Sequence, residues 1–134
     1  IGVGWGVTGH LRDLLPNTKL VEVNVGQTAF NPHRFMRLRD ELWWRLRLAF
    51  EGGKLSIPND PLLMGDLNSP KYEEIGSKIK VESKIEMRKR GVDSPNRADS
   101  LMQTMIYEPE FLRRILSQIK DKKKPKPKQS WRTR

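Results

Sequence analysis

The sequence contains no cysteine, so neither a disulfide nor a thiolate metal site is available to it, a usage that agrees with a reducing compartment. No stretch approaches the roughly 18 consecutive apolar residues of a membrane span, and the opening has neither an initiator methionine nor the charged-then-apolar pattern of a signal peptide. A membrane partner and secretion are therefore not expected. No glycine-x4-glycine-lysine-serine/threonine phosphate loop occurs, so a P-loop ATPase is not expected in this sequence. Histidine is limited to His10 and His33, far apart and without ligand spacing, which fits surface or capping positions.

What is present is charge. The 134 residues are 31% charged and 36% hydrophobic, with a formal net charge of +10, which describes one surface-rich domain with a core of moderate size. The charge is unevenly placed. Residues 120–134, KDKKKPKPKQSWRTR, hold eight Lys or Arg against one Asp, or +7, leaving +3 for residues 1–119. The chain thus divides into a domain over 1–119 and a Pro-interrupted basic tail over 120–134, too polar to bury. Such a tail either solubilises the terminus or attracts polyanions without sequence preference, and Trp131 would be able to stack on a base.

Along the domain, Gly2, Gly4, Gly6 and Gly9 suggest a tight turn leading into a helix through Leu11 and Leu14. GWGVTG formally matches GxGxxG, but no strand precedes it, so no dinucleotide partner is expected. Leu20 to Val25 alternates at strand period. From Phe35, the residues Leu38, Leu42, Leu46 and Ala49 recur at helical spacing to a stop at Gly52 and Gly53. Trp43, Trp44 and Phe50 widen that stripe, while Arg34, Arg37, Arg39, Arg45 and Arg47 either pair with Asp40, Glu41 and Glu51 or face phosphate or water. Asp60 and Pro61 start a further short helix, and Gly76–Ser77 fits the turn of a hairpin between Lys71–Ile75 and Lys78–Glu82. A last helix is expected over Glu110–Ile119, with Phe111, Leu112, Ile115 and Ile119 on one face.

The densest information lies between Lys78 and Met105. Ser83 and Glu86 form a capping box for a helix running to Arg90, which Gly91 ends. Ser94 and Pro95 then open a second helix, whose apolar stripe is Ala98, Leu101, Met102 and Met105. Asp99 falls at the edge of that stripe. One reading pairs it with Arg97, Arg90 or another cation; the other makes it a ligand for a hard divalent cation, which prefers carboxylate oxygens. Asp66 is the rival ligand, in the more ordinary context of an amphipathic turn.

The residues SKIEMRKRGVDSPNRADSLM, Ser83 to Met102, resemble the last block of the nuclease domain of tailed-bacteriophage terminase large subunits. There a serine and lysine follow a strand, then come a basic turn of helix and a phrase close to Ser-Pro-Asp-x-Ala-Asp-Ala. Further blocks resemble the family in order, at Gly2–Leu14, Phe30–Arg47 and Lys54–Leu67, so the likeness extends to about Tyr107. It implies an α/β fold of RNase H-like type, a mixed sheet flanked by helices, here lacking its opening strands and the two carboxylates they carry. It also implies a metal-dependent DNA endonuclease module of a viral packaging terminase, working by a two-metal mechanism with Mg2+ or Mn2+.

Within the resemblance Asp99 matches the final acidic position, as catalytic residue and metal ligand, and Lys84, Arg88, Lys89, Arg90 and Arg97 are candidates for DNA phosphate contact. Asn96 departs from the pattern, standing where an additional Asp is usual. Implied partners are double-stranded DNA, and the portal and small terminase subunit in the intact motor; the implied location is the host cytoplasm. The alternative is a catalytically incomplete DNA-binding or assembly fragment.

Overall fold

The computed structural model describes residues 4–107, with side chains from residue 6 onward. The expected helix over Glu110–Ile119 and the basic tail with Trp131 lie outside the described residues. Helix α1 spans Gly4–Leu14, α2 Leu38–Glu51, α3 Pro61–Asn68, α4 Lys84–Lys89 and α5 Asn96–Thr104; strands β1, Tyr72–Ile75, and β2, Lys78–Val81, form the hairpin before α4, and a 3-10 turn, Met105–Tyr107, follows α5.

Helix α2 is the axis of the core. Leu38, Leu42 and Leu46 recur every fourth residue, so they stack on one line of the helix, and all three are fully or almost fully buried. Val81 from β2, Ala98 and Met102 from α5, and Ile106 from the 3-10 turn close over them. A second, smaller cluster of Ala29, Phe35 and Ile79 packs against Trp44 on the other side of the same helix.

The hairpin forms at the expected place. Tyr72 pairs with Val81 and Ile75 with Lys78 in antiparallel register, around a turn where Gly76 takes a φ of +62°, a conformation that costs an ordinary L-residue energy and glycine almost none. Burial alternates along β2, with Ile79 and Val81 inward, while β1 is exposed throughout. The opposite edge of β2 accepts a parallel bridge from Phe35, built from Ile79 N to Arg34 O at 2.7 Å and Met36 N to Ile79 O at 3.3 Å. The described residues therefore hold a two-stranded antiparallel sheet with one parallel bridge, smaller than the mixed sheet expected from the sequence.

Two expected features differ. Leu20–Val25 keeps its alternation, with Val21, Val23 and Val25 half-buried and Glu22 and Asn24 exposed, but it is irregular. A strand requires a ladder partner, and no strand among the described residues lies alongside this one. Its end docks on α2 instead, Val25 O accepting from Arg39 N and Gln27 O from Leu38 N, each at 2.9 Å. The glycine-rich opening is likewise not a tight turn. Gly4, Gly6 and Gly9 lie inside α1, the glycines with positive φ are elsewhere, and nothing stands within 4 Å of where a Cβ at Gly6 or Gly9 would sit.

The caps between Asp60 and α5 follow the sequence closely. Asp60 Oδ1 accepts from Leu62 N at 2.9 Å, with Pro61 in the first turn of α3. Ser83 Oγ accepts from Glu86 N at 3.2 Å, and the Glu86 carboxylate returns the bond to Ser83 N at 2.7 Å. The reversal after α4 uses Gly91 at φ +74°. Val92 N donates to Met87 O at 3.0 Å and Gly91 N to Arg88 O at 2.9 Å, the paired bonds of a Schellman ending. Pro95 takes the position just before α5 rather than the first turn inside it, and is fully buried there.

Lys80 links the hairpin to this capping box, its Nζ 2.8 Å from Glu86 and 2.9 Å from Glu73. The bond from Lys80, together with those from Ser83, holds the Glu86 carboxyl down at about 2 against an ordinary 4.5. A lowered folded-state value means the contribution is complete above the unfolded value and is lost as pH falls through the folded one. An acid titration followed by circular dichroism should thus show stability declining between about pH 4.5 and 2, with a shallower decline in Glu86→Gln. Leu42→Ala, removing a fully buried side chain, should cost roughly 2–5 kcal/mol in a urea unfolding experiment.

Candidate functional site

Asp99 stands in the first turn of α5 with its side chain turned inward, the residue 7% exposed. Three groups from two other helices meet its carboxylate. Lys84 Nζ of α4 is 2.9 Å from Oδ2, while Arg39 Nη2 and Trp43 Nε1 of α2 donate to Oδ1 at 3.4 and 3.3 Å. Arg39 and Trp43 are one helical turn apart, which places both on the face of α2 that α5 crosses. The Arg39 guanidinium carbon also lies 5.9 Å from the Trp43 ring centroid, and Nη1 donates to Glu82 O at 2.9 Å.

The start of α5 is fixed from outside the helix. Asp66 Oδ2, from α3, accepts from Arg97 N at 2.9 Å, satisfying one of the amides that a helix leaves open at its first turn. Asp66 thus caps a neighbouring helix and holds the turn that carries Asp99. Asn96 Oδ1 accepts from Ser94 Oγ at 2.9 Å and Lys84 Nζ at 3.4 Å, so Lys84 bridges the side chains of residues 96 and 99.

The carboxylate opens on a cavity of about 860 Å³ between α2, β2, α4 and α5. Arg37, Arg39, Lys80 and Lys84 line it, against Asp40, Glu86 and Asp99. Asp40 is already committed, its Oδ1 accepting from Val81 N at 2.9 Å and its Oδ2 from Arg37 N at 2.8 Å. Among the described residues no cluster of three or more His, Asp or Glu side chains has the arrangement of a metal site. One carboxylate already met by two cations does not constitute the donor set of a divalent-cation site.

The cations singled out in the sequence fall into three groups. Lys84 is engaged with Asp99. Arg90 lies elsewhere, its Nε and Nη2 forming a fork with the Glu82 carboxylate at 3.0 and 2.7 Å, and Nη2 donating to Ser69 O at 2.8 Å. That pairing holds the Glu82 carboxyl below the usual range and raises the Arg90 guanidinium. Arg88, Lys89 and Arg97 are exposed. Asp99 does pair with cations, but with Lys84 and Arg39 rather than Arg97 or Arg90; Arg39 and the Trp43 indole lie 60 and 56 residues away in sequence. The four-residue spacing of an arginine and a tryptophan on α2 was the only signal, and it read equally well as core packing.

No family model and no curated protein matches the sequence. Solved structures do match. The nuclease domain of the large terminase subunit gp2 of bacterial virus Sf6 superposes with a TM-score of 0.60 at 21% identity, over 78% of this chain and 61% of that one. A lysine-to-alanine mutant of the same domain with manganese gives 0.61 at 20% identity, over 78% and 62%, and the mutant with manganese and beta-thujaplicinol gives 0.59 at 21%. The likeness to terminase nuclease domains read from the sequence is therefore borne out in the fold. The chain spans about three-fifths of the length of those domains.

Replacing Asp99 by Asn keeps the shape but leaves Arg39 and Lys84 without their anion. Because Arg39 is largely buried there, Asp99→Asn should lower the unfolding free energy by roughly 1–3 kcal/mol, measured by urea denaturation of the variant and the unaltered protein.

Proposed function

We propose that this chain belongs to the DNA-cleaving nuclease domain of a viral packaging terminase, in which Asp99 supplies one carboxylate of a divalent-cation site. What supports this most is the inward Asp99 on the first turn of α5, in a fold that matches solved terminase nuclease domains, two of them with manganese. Magnesium or manganese is the expected ion, double-stranded DNA the expected substrate, and portal and small terminase subunit the expected partners in the assembled motor. The remaining ligands of a two-metal site and the further strands of an RNase H-like sheet are not among the described residues. Lys84 can be displaced from Asp99 by rotation of its own flexible stem, since its side chain is 46% exposed.

DNA contact in this reading falls to Lys84, Arg88, Lys89 and Arg97, with Arg90 bracing the α4 end of the surface. Such cations position phosphate without reading bases.

A second reading has its own support. The pairing of Asp99 with two cations, and the absence of a three-acid cluster among the described residues, favour a catalytically incomplete DNA-binding or assembly piece. A cleavage assay with manganese on this chain and on a longer version of the same protein separates the two. The longer version should cut duplex DNA and Asp99→Ala in it should fall to background, while this chain alone should bind without cutting. A folded, metal-loaded longer version that leaves DNA intact would end the nuclease reading.

A further inference from the structure

A second hollow, which shares Val81 with the Asp99 cavity, opens between α2, α3 and the hairpin, with a volume of about 500 Å³. That size falls within the roughly 300–1,000 Å³ common for small-ligand pockets. Its floor is apolar, formed by Leu46, Phe50, Met64 and Leu67. Its rim alternates aromatic rings and cations. The Arg47 guanidinium carbon lies 4.7 Å from the Trp44 centroid and 5.4 Å from that of Tyr72, and the two rings meet edge to face at 5.2 Å. Lys71 completes the rim.

Two properties of this rim point to one kind of occupant. Tyr72 is 51% exposed, which leaves part of its ring open to solvent. Among the lining side chains the cations Arg47 and Lys71 outnumber the one acid, Glu51, which accepts from Arg47 Nε at 2.7 Å; outside the lining, Glu82 accepts from the Lys71 backbone N–H at 3.1 Å. The Glu51 pairing and the Tyr72 hydroxyl raise the Arg47 guanidinium, so it stays charged. An exposed ring beside an apolar floor suits a planar base, and surplus positive charge suits a phosphate. A base still paired in a duplex keeps its faces stacked and cannot enter.

We infer that this hollow takes an unpaired nucleotide of a DNA strand, its base against Tyr72 and the apolar floor and its phosphate toward Lys71. The inference rests on the DNA-handling reading of the chain and adds to it a seat for single-stranded DNA, next to the Asp99 cavity.

The test is fluorescence anisotropy with a labelled deoxythymidine hexamer and a blunt duplex, in EDTA so that no cutting intervenes, and in salt sufficient to damp the contribution of the basic tail. The hexamer should bind the unaltered protein. Tyr72→Ala should weaken it at least about fivefold, Tyr72→Phe should restore it, and duplex binding should be unchanged by either. Lys71→Glu, at an exposed side chain, should weaken the hexamer as well and serves as the probe if Tyr72→Ala melts lower. Hexamer binding that survives both substitutions overturns the assignment; if Arg88→Glu with Lys89→Glu then abolishes it, the DNA-handling reading stands while the hollow is excluded. An unaltered protein that binds neither hexamer nor duplex overturns both.

Discussion

The backbone N–H of Val81 donates at 2.9 Å to Asp40, a carboxylate 3% exposed on the first turn of α2, and much of the architecture hangs on that bond. Val81 belongs to a strand with one full neighbour, and a buried amide left unpaired would cost of the order of 1–3 kcal/mol. Asp40 takes the place a further strand would occupy. Glu41 repeats the device one residue later, accepting from Phe30 N at 2.7 Å and Asn31 N at 3.1 Å. Two acids buried on one helix thus tie it to the inner strand of the hairpin and to an irregular loop. The leucine line of α2 supplies the apolar contact, and its acids fix how the other elements meet it.

This arrangement explains which parts of the structure were legible in the sequence. Short-range devices were readable, because partner and signal lie within a few residues: the Ser83–Glu86 box, the Asp60–Pro61 helix start, the Gly76 turn and the Gly91 stop. Asp40 and Glu41 were not, since helical spacing gives no hint that Asp40 will be buried against a backbone amide 41 residues away, or Glu41 against amides 10 and 11 residues away. The Leu20–Val25 alternation marks Val23 and Val25, which pack on the core, although Leu20 on the other face is half-buried too; period alone cannot supply a ladder partner. The GWGVTG glycines failed for a related reason, since glycine permits a turn but does not require one, and α1 forms with no close neighbour to demand it.

The site was half legible. Asp99 was singled out by its place at the edge of a stripe, and Lys84 only through the resemblance, as a candidate for phosphate contact; the structure joins them at 2.9 Å. Asp66, noted as a rival ligand, turned out to hold the amide of Arg97. The chain divides its cations accordingly. Arg39 and Arg90 are drawn into contacts that fasten elements together, while Arg88, Lys89 and Arg97 stay at the surface, free of any side-chain bond among the described residues. Net charge says little about where a polyanion would settle until those two kinds are told apart.

Arg39 touches three things at once: the Asp99 carboxylate, the Trp43 ring and the carbonyl of Glu82. Residues that share one partner do not respond independently when they change. Substitutions at 39, 43 and 99 must therefore show epistasis, the effect of any one depending on what stands at the other two. A lineage that altered the carboxylate would relax the requirement for guanidinium and indole alike, so that drift in this chemistry would proceed as a coordinated exchange of three side chains and not as separate steps.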